Sequence, residues 1–307
     1  MQEENRKEFR SGFVSILGRT NVGKSTLLNN LIDEKVAITA NKPQTTRTAI
    51  RAIVNRENSQ IIFIDTPGIH KPKTKLGETM VDTAFSSIGD VDVLLFLIEA
   101  TSDSIGKGDR IILDKIKEKG KKTILIINKI DLVEKEKLLN LIKLYSNEYD
   151  FSAVIPISAN DSKYKDVVLD EIEKLLKKGP KYYDEDEYTD QTMRQIAEEV
   201  IREKALRLLD EEVPHGIYVE VSKYSLRKTT KNEDIYDIEA TIYCKKNSHK
   251  GIIIGKEGKM LKRIGTYARQ DLEKSTGTKV NLKLWVKVQE NWEDKTNIVK
   301  KFQYKNK

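Results

Sequence analysis

The sequence has little cysteine and histidine and no long apolar run. Cys244 is the single cysteine among 307 residues, which excludes an intramolecular disulfide and argues against a cysteine-based metal cage. Three scattered histidines are too few for a histidine-rich metal site. The longest uninterrupted apolar run, Val93–Ile98, is far shorter than the roughly 20 residues that a membrane-spanning helix needs. The first ten residues hold no apolar stretch, which predicts no secretory signal, and we expect a soluble, cytoplasmic protein.

The net charge is only +7, but it is distributed unevenly along the chain. Residues 1–180 carry +3, residues 181–243 carry −7, and residues 244–307 carry +11. A block of one sign this large is typical of a surface that binds a polyanion. A solvated, lysine-rich tail is the alternative that charge alone leaves open.

Short apolar runs alternate with amphipathic segments of helical length in the first 180 residues. This alternation predicts an α/β fold, with a mostly parallel sheet and helices on both of its faces. Thr48–Val54 alternates polar and apolar residues, which predicts a hairpin and one antiparallel edge strand. The runs typical of buried strands are Phe13–Leu17, Ile61–Asp65, Val91–Glu99, Thr123–Asn128 and Ala153–Ser158. The helical segments are Ile111–Lys119, Lys135–Tyr149 and Val167–Lys177.

A polar, acidic segment, Gly179–Asp190, breaks both periodicities and divides the chain. We predict a first domain at 1–180, an acidic linker at 181–192 and a smaller α+β domain at 193–307. The second domain has the element order α-β-β-α-α-β. Its elements are Gln191–Leu209, Ile217–Tyr224, Tyr236–Tyr243, a helical stretch near Gly255, Met260–Thr276 and Val280–Val288.

A phosphate-binding loop follows the first predicted strand and opens a helix. Its residues fit the pattern G-x-x-x-x-G-K-S, in the strand–helix context that the pattern requires. They are Gly18, Arg19, Thr20, Asn21, Val22, Gly23, Lys24 and Ser25. The glycines let backbone N–H groups wrap the phosphates of a nucleotide. We expect Lys24 to bridge the β- and γ-phosphates and Ser25 to ligate Mg²⁺.

Three more motifs follow the ends of predicted strands. They are Asp65-Thr66-Pro67-Gly68, Asn128-Lys129-Ile130-Asp131 and Ser158-Ala159-Asn160. Asp65 would hold magnesium through water, and the Gly68 N–H would touch the γ-phosphate. The Asp131 carboxylate can accept hydrogen bonds from N1–H and the exocyclic amine of guanine together, a pair that adenine does not offer. Asn128 would brace the loop, Lys129 would lie along the ring, and the Ser158 motif would offer a backbone N–H to guanine O6. Together the motifs predict a site for GTP and GDP.

The polar stretch between Lys35 and Ile50 predicts a switch loop that the γ-phosphate orders through a threonine hydroxyl on Mg²⁺. Thr46 is our choice for that ligand, with Thr45 as the fallback. The segment Ile69–Ser86 would form the second switch.

The catalytic apparatus departs from the common pattern at one position. In many GTPases a glutamine after D-x-x-G orients the attacking water, and here that residue is Ile69. Either intrinsic hydrolysis is therefore slow, or another group orients the water or supplies charge. We expect Lys24, Thr46 and Gly68 to be catalytic groups. The chain resembles potassium-dependent GTPases, in which a P-loop asparagine helps hold a monovalent cation. That resemblance implies the same role for Asn21 and stimulation by K⁺.

A Gly-x-x-Gly turn lies inside the basic block, between an apolar run and a helix. Such a turn lets nucleic-acid phosphates approach the backbone, as in KH modules. The candidate RNA-binding residues are Gly255, Lys256, Glu257, Gly258, Lys259, Lys262 and Arg263, with Lys250 nearby. Glu257 opposes phosphate binding. Tyr267 and Trp285 could stack on bases, but their helical and strand spacing indicates core positions. The α-β-β-α-α-β order matches the type II KH arrangement.

These motifs together resemble the Era family of bacterial ribosome-assembly GTPases. The matching segments are GRTNVGKSTLLN, PQTTR, DTPG, SSIGDVD, NKID, VIPISA, IREKALRLL, IIIGKEG and LWVKV. The resemblance implies a P-loop GTPase domain with a C-terminal type II KH domain that binds the 3′ end of 16S ribosomal RNA. It also implies assistance to assembly of the small (30S) ribosomal subunit and peripheral association with the cytoplasmic membrane. We expect a monomer.

The preferred interpretation is a GTP-driven RNA-binding switch, and two other classes were weighed against it. A GTPase of tRNA modification or of metal transport would lack the basic Gly-x-x-Gly domain, or would carry a cysteine-based or membrane module. A GTP-liganded RNA-binding module or chaperone with negligible turnover is the remaining alternative, which Ile69 leaves open.

Overall fold

A computed structural model describes residues 8–40, 42 and 44–302. The chain divides into two compact units. Residues 8–37 and 46–190 belong to the first unit together with Phe302, and the described residues among 38–45, together with 191–301, belong to the second. The predicted linker is therefore split, since its residues up to Asp190 lie with the first unit. Two residues of the predicted switch loop, 41 and 43, lie outside the described residues.

The first unit is a sheet with helices on both faces, which confirms the predicted fold class. Its elements are β1 (Arg10–Leu17), α1 (Lys24–Ile32), β2 (Ile50–Arg56), β3 (Ser59–Asp65), α2 (Lys75–Ser86), β4 (Val93–Glu99), α3 (Lys107–Lys119), β5 (Lys122–Asn128), α4 (Lys135–Ser146), β6 (Ala153–Pro156), α5 (Lys165–Leu175) and β7 (Lys177–Lys178). The strand order is β2-β3-β1-β4-β5-β6. Strands β1, β3, β4, β5 and β6 run parallel, and β2 is the antiparallel edge strand. The structure adds β7, a second antiparallel strand that pairs with β1 and has no apolar signal in the sequence.

The continuous apolar runs arise because both faces of the sheet are covered. In β4, Val93, Leu95 and Leu97 pack in one hydrophobic cluster with residues of α1 and α5. The alternate residues Leu94, Phe96 and Ile98 pack in another cluster, with residues of α2, α3 and α4. The four nucleotide motifs follow the carboxyl ends of β1, β3, β5 and β6, the edge at which open parallel sheets bind ligands.

The second unit has the predicted α-β-β-α-α-β order. Its elements are α6 (Met193–Leu208), β8 (Ile217–Lys228), β9 (Asp234–Cys244), α7 (Asn247–Ile254), α8 (Lys259–Thr276), β10 (Lys279–Val288) and the short α9 (Thr296–Val299). The three strands form a separate sheet in the order β10-β9-β8, with β10 parallel and β8 antiparallel to β9. A capping box formed by Thr192 and Gln195 begins α6. Among residues 8–40, 42 and 44–302, no helix is long and apolar enough to cross a membrane.

Candidate functional site

Two residues of the phosphate-binding loop adopt left-handed backbone conformations. Asn21 and Gly23 both have positive φ angles, of 65° and 103°. A Cβ atom on Gly23 would lie 2.3 Å from the Asn128 Nδ2 atom, so only glycine fits there. Within the part of the chain that the structure describes, no side chain caps the N-terminus of α1. The first N–H groups of the helix, with their partial positive charge, are therefore available to an anion.

The Lys24 side chain is buried and bonds to the backbone of the phosphate-binding loop. Its Nζ atom donates to the carbonyl oxygens of Gly18 and Arg19 at 3.1 and 2.9 Å. Burial lowers the pKa of Lys24 to about 8, an effect that the nearby Asp65 carboxylate partly offsets. A phosphate beside Lys24 would favour the charged ammonium and so raise this pKa again.

Three oxygen-bearing side chains meet beside the loop. Ser25 Oγ donates to Asp65 Oδ2 at 2.9 Å, and it lies 2.9 Å from Thr46 Oγ1. Thr46 Oγ1 is 3.3 Å from the same Asp65 oxygen. Burial raises the pKa of Asp65, although Lys24 and both hydroxyls act against that rise. The second Asp65 oxygen, Oδ1, is buried and has no hydrogen-bond partner among the described residues. A small cation that prefers oxygen ligands fits this arrangement.

The remaining ligands of such a cation would be water and phosphate oxygens. No group of three or more histidine, cysteine, aspartate or glutamate residues that could hold a metal occurs in the described part of the chain. Mg²⁺ commonly keeps several waters and binds through one or two carboxylates together with phosphates of the substrate.

The structure distinguishes between the two threonines considered for the switch. Thr45 directs its hydroxyl to carbonyl oxygens of its own loop, those of Ala40 at 3.3 Å and Lys42 at 2.6 Å. Only Thr46, which is 7% exposed, brings its hydroxyl to Ser25 and Asp65. The geometry therefore favours Thr46 over Thr45.

Asn128 connects three of the motifs. Its Nδ2 donates to the carbonyl oxygen of Val22 at 2.8 Å, and its Oδ1 accepts from the backbone N–H groups of Lys129 and Ala159, each at 2.8 Å. The Ala159 N–H, one of those considered for guanine O6, is thus bonded to Asn128 in this structure. Asn30 Nδ2 also donates to the Ala159 carbonyl at 3.1 Å.

Asp131, the residue predicted to bind guanine, is exposed, and its carboxylate can accept hydrogen bonds. Asp131 lies on a 3₁₀ turn, Ile130–Leu132, that follows β5. Its carboxylate has no hydrogen-bond or ion-pair partner within residues 8–40, 42 and 44–302. Lys129 has a positive φ of 65°, and its ammonium pairs with Glu99 at 2.6 Å. The sequence reading did not single out Glu99, although it stands at the end of the apolar run of β4.

The D-T-P-G segment is packed tightly against the phosphate-binding loop. A Cβ atom on Gly68 would lie 2.7 Å from Thr20 Cα, so the approach requires glycine. The Ile69 N–H donates to the Gly18 carbonyl at 3.2 Å. The Ile69 side chain is 5% exposed and packs in an apolar cluster, which anchors this segment to the core.

Two other residues of these motifs have structural contacts. Thr66 Oγ1 donates to the Ile16 carbonyl at 2.7 Å, which leaves its hydroxyl engaged with β1. Arg19 Nε donates to Asp109 at 3.0 Å, and the guanidinium also lies 3.8 Å from Glu99. Pro67 is buried between Thr66 and Gly68.

The Gly-x-x-Gly turn of the second unit joins α7 to α8 with unusual backbone angles. Gly255, Glu257 and Gly258 have φ values of 73°, 53° and 72°. A Cβ atom on Gly255 would lie 2.7 Å from the Met260 Cβ atom, whereas one on Gly258 would meet nothing within 4 Å. The surface beside Gly258 is therefore open, and no side chain of the described residues caps the N-terminus of α8. A phosphate can approach this helix end closely.

Basic side chains surround the turn. Lys256, Lys259, Lys262 and Arg263 are all exposed. Glu257, which opposes an anion, pairs with Lys259 at 2.8 Å on the surface. The cluster thus keeps a net positive charge. It is the part of the +11 block that lies next to the open helix end.

The expectation that Tyr267 and Trp285 lie in the core is wrong. Tyr267 is 45% exposed on α8, and Trp285 is 44% exposed on β10. The core positions of β10 are its even-numbered residues. Val280 and Val286 are buried in a hydrophobic cluster with residues of the helices, and Leu282, Leu284 and Val288 pack against it. Ile252, 50% exposed on α7 close to the turn, is an apolar surface residue that the sequence reading did not single out.

Comparisons with known proteins agree with this geometry. Residues 13–129 match the family model described as 50S ribosome-binding GTPase, and residues 212–293 match the KH domain model. GTPase Era of Caldanaerobacter subterraneus subsp. tengcongensis is 52% identical over 296 residues, which are 96% of this chain and 98% of the relative. GTPase Era of Clostridioides difficile is 49% identical over 300 residues, 97% of this chain and 100% of the relative.

Two solved structures of Era resemble the whole chain. One is Era in complex with MgGDPNP and nucleotides 1506–1542 of 16S ribosomal RNA, with 39% identity and a TM-score of 0.91 over 97% of this chain and 100% of the other. The second is a variant of Aquifex aeolicus Era bound to GDP.AlF4-, with the same identity, TM-score and coverage. With a nucleotide site in its first unit, a KH domain in its second and relatives at about half identity over nearly its full length, the chain belongs to the Era family of GTPases.

Proposed function

We propose that this chain is a GTP-driven switch that binds the 3′ end of 16S ribosomal RNA and assists assembly of the 30S subunit. The observation that carries the proposal is the position of Thr46, whose hydroxyl lies within 3.3 Å of Asp65 and 2.9 Å of Ser25. A switch-loop hydroxyl at the cation site makes the loop conformation depend on the γ-phosphate. Equilibrium RNA binding by the full chain, with GDP and with a non-hydrolysable GTP analogue, tests the proposal.

Magnesium is part of the proposed nucleotide site. Ser25, Thr46 and Asp65 would hold it, Ser25 and Thr46 through their hydroxyls and Asp65 through water. Bound there, Mg²⁺ supplies positive charge that offsets the charge developing on the phosphates. Lys24 binds the β- and γ-phosphates, and the Gly68 N–H donates to the γ-phosphate. The unpartnered Asp65 Oδ1 and the uncapped start of α1 support this assignment.

Features of the second unit support RNA as the binding partner. Its open helix end at Gly258 and the basic side chains around it suit the backbone of single-stranded RNA, and exposed Ile252 offers an apolar contact to bases. A related structure holds nucleotides 1506–1542 of 16S ribosomal RNA, which supports the same target here.

We further propose a cytoplasmic monomer. The +11 block would also attract anionic lipid, and this supports a peripheral contact with the cytoplasmic membrane.

A second candidate function is a GTP-liganded RNA-binding module or chaperone with negligible turnover. The burial of the Ile69 side chain favours it, since this position offers no group that could orient water. Phosphate release measured with and without the RNA separates the two functions. Release that RNA accelerates supports the switch, and release that stays at the background level supports the module.

Potassium is proposed to stimulate hydrolysis through Asn21. The Asn21 side chain is exposed in the phosphate-binding loop, and its φ of 65° places the backbone of this residue in the left-handed region. A monovalent cation there would add positive charge beside the phosphates, where Ile69 supplies nothing. We expect turnover about tenfold faster in K⁺ than in Na⁺ at matched ionic strength, and Asn21→Ala should remove the difference. Identical rates in the two salts would refute this role.

A further inference from the structure

Glu99 is an acidic residue at the end of a strand that is otherwise wholly apolar. The run from Val93 to Ile98 fills β4, and Glu99 is the last residue of that strand. The neighbouring strand β5 runs parallel to β4 and pairs Glu99 with Asn128. The Ala100 N–H also donates to the Asn128 carbonyl at 2.8 Å. The sheet therefore places Glu99 beside the first residue of the N-K-I-D motif.

The Glu99 carboxylate pairs with the next residue of that motif. Its Oε2 atom accepts a hydrogen bond from Lys129 Nζ at 2.6 Å. Both side chains are partly exposed, Glu99 by 24% and Lys129 by 33%, so a ligand can reach the pair from solvent. An ion pair with this exposure contributes little to the free energy of unfolding. The charge at the end of an apolar strand is therefore better explained by the residue that it holds than by stability.

The backbone of Lys129 has a conformation that a lysine seldom adopts. Its φ of 65° lies in the left-handed region, where glycine or asparagine would carry less strain. The Asn128 Oδ1 atom accepts from the Lys129 N–H at 2.8 Å and helps to hold this conformation. Strained residues of this kind concentrate at binding and catalytic sites. The position of a lysine here therefore indicates that its side chain has a function.

A lysine side chain can lie along a base only when its flexible stem is held in place. The stem has four carbons and loses considerable rotamer freedom when it is fixed. Asn128 holds the backbone end of Lys129, and Glu99 holds the ammonium end. Asp131 follows two residues later, on the turn after β5. The held stem thus offers apolar surface to the ring whose edge Asp131 is predicted to bind.

Arg19 is a second cation near Glu99, and it is held by other groups. Its Nη2 atom lies 3.8 Å from Glu99 Oε1, a longer contact than that of Lys129. Arg19 Nε donates to the buried Asp109 at 3.0 Å, and Nη2 donates to Ser102 Oγ at 3.3 Å. Loss of the Glu99 charge should therefore release Lys129 and leave Arg19 in place.

We propose that Glu99 is a positioning residue for nucleotide binding, which acts by holding the Lys129 side chain along the guanine base. This inference rests on the proposed function, since it deepens the assignment of Lys129 and Asp131 to guanine. The base is the same in GTP and GDP, so Glu99 should affect the affinity of both nucleotides equally. The face of the ring is also the same in hypoxanthine, which lacks the exocyclic amine of guanine. The effect of Glu99 should therefore extend to inosine nucleotides.

The test measures the affinity of full-length variants for fluorescent GDP in Mg²⁺, with GDP, IDP and a non-hydrolysable GTP analogue as competitors. Glu99→Gln removes the charge and keeps the size of the side chain. Glu148→Gln is the matched control, because this carboxylate is 28% exposed in the same unit and pairs with Arg110 and Lys117 of α3. Lys129→Met removes the ammonium and keeps an unbranched apolar stem. The double variant shows whether Glu99 acts through Lys129.

Glu99→Gln should weaken binding of GDP, IDP and the GTP analogue by about five- to tenfold each, with Glu148→Gln within about twofold of the unsubstituted chain. In the Lys129→Met background, Glu99→Gln should cause no further loss, since both changes remove the same contact. Affinities of Glu99→Gln within about twofold of the original would overturn the proposal. So would a loss that persists in the Lys129→Met background, which a structural role or an effect through Arg19 predicts. A loss confined to the GTP analogue would overturn it as well.

These outcomes are distinct from those that test the switch function. If the RNA affinity of the unsubstituted chain is the same with GDP and with the analogue, the switch function fails. A loss of affinity in Glu99→Gln that both nucleotides share would then still support the positioning role. If the unsubstituted chain shows the RNA difference and Glu99→Gln binds nucleotides as tightly as the original, the positioning role is the one that fails.

Discussion

Replacing Asp131 by asparagine is expected to weaken GTP binding by about a hundredfold. The exposed carboxylate can accept two hydrogen bonds from guanine, one from N1–H and one from the exocyclic amine. An asparagine amide has one oxygen, and its NH₂ group would face the amine of the base, donor against donor. Hydrogen bonds to a charged group contribute roughly 1.5–3 kcal/mol each, and a loss of about 3 kcal/mol is a factor of about a hundred.

The same variant should bind xanthosine triphosphate better than the unsubstituted chain does. Xanthine carries a carbonyl where guanine carries the exocyclic amine, so the amide of Asp131→Asn can donate to it while accepting from N1–H. Asp161→Asn is the matched control, since this carboxylate is engaged with Lys163. Titration with fluorescent GTP and competing nucleotides gives both affinities. GTP affinity within threefold of the original in Asp131→Asn would rule out Asp131 as the guanine reader.

Replacing Gly258 by aspartate is expected to weaken RNA binding at least tenfold while leaving GTP affinity unchanged. The added carboxylate would stand at the open end of α8, where a phosphate is expected to bind, and would repel it. The φ of 72° at Gly258 suits asparagine and aspartate better than other side chains, so the turn itself should form. Filter binding to a 16S 3′-end oligonucleotide measures the effect.

Gly258→Asn is the control that isolates charge, since the two side chains have nearly the same size and the same tolerance of this backbone conformation. We expect the asparagine variant to bind RNA within about threefold of the original chain. A salt titration adds a second criterion, because the aspartate effect should shrink as salt screens the charge. Equal losses in both variants would mean that bulk at the turn matters and that no phosphate binds there.

The candidate nucleotide site could be located from the sequence because each of its parts is a short motif at the end of an apolar strand. The spacing of Gly18 to Ser25 fixes a loop, and the parallel sheet brings the ends of β1, β3, β5 and β6 to one edge. The choice between Thr45 and Thr46 needed coordinates, since neighbouring threonines differ only in the direction of their side chains. The burial of the Ile69 side chain could not be predicted either, because an isoleucine after a glycine can face either solvent or core.

The order of the elements in the second unit could be predicted from sequence, but which of its residues are exposed could be predicted less well. Strand alternation is visible in β10, but which of its two faces is covered depends on helices elsewhere in the chain. Trp285 therefore turned out exposed. The hydrogen bonds of Thr39 and Thr45 to side chains of α6 join positions more than 150 residues apart, such as Thr39 and Glu203. No local pattern marks such a pair, and the run IREKALRLL shows only an amphipathic helix with charged residues.

RNA affinity in the two nucleotide states tests the central claim most directly. The full chain, saturated with Mg²⁺ and either GDP or a non-hydrolysable GTP analogue, would be titrated into a labelled oligonucleotide of the 16S 3′ end at fixed salt. A coupling between sites of roughly 1–3 kcal/mol corresponds to a factor of about 5 to 150. We predict RNA binding at least fivefold tighter with the analogue than with GDP. Equal affinities in the two states would contradict a GTP-driven switch.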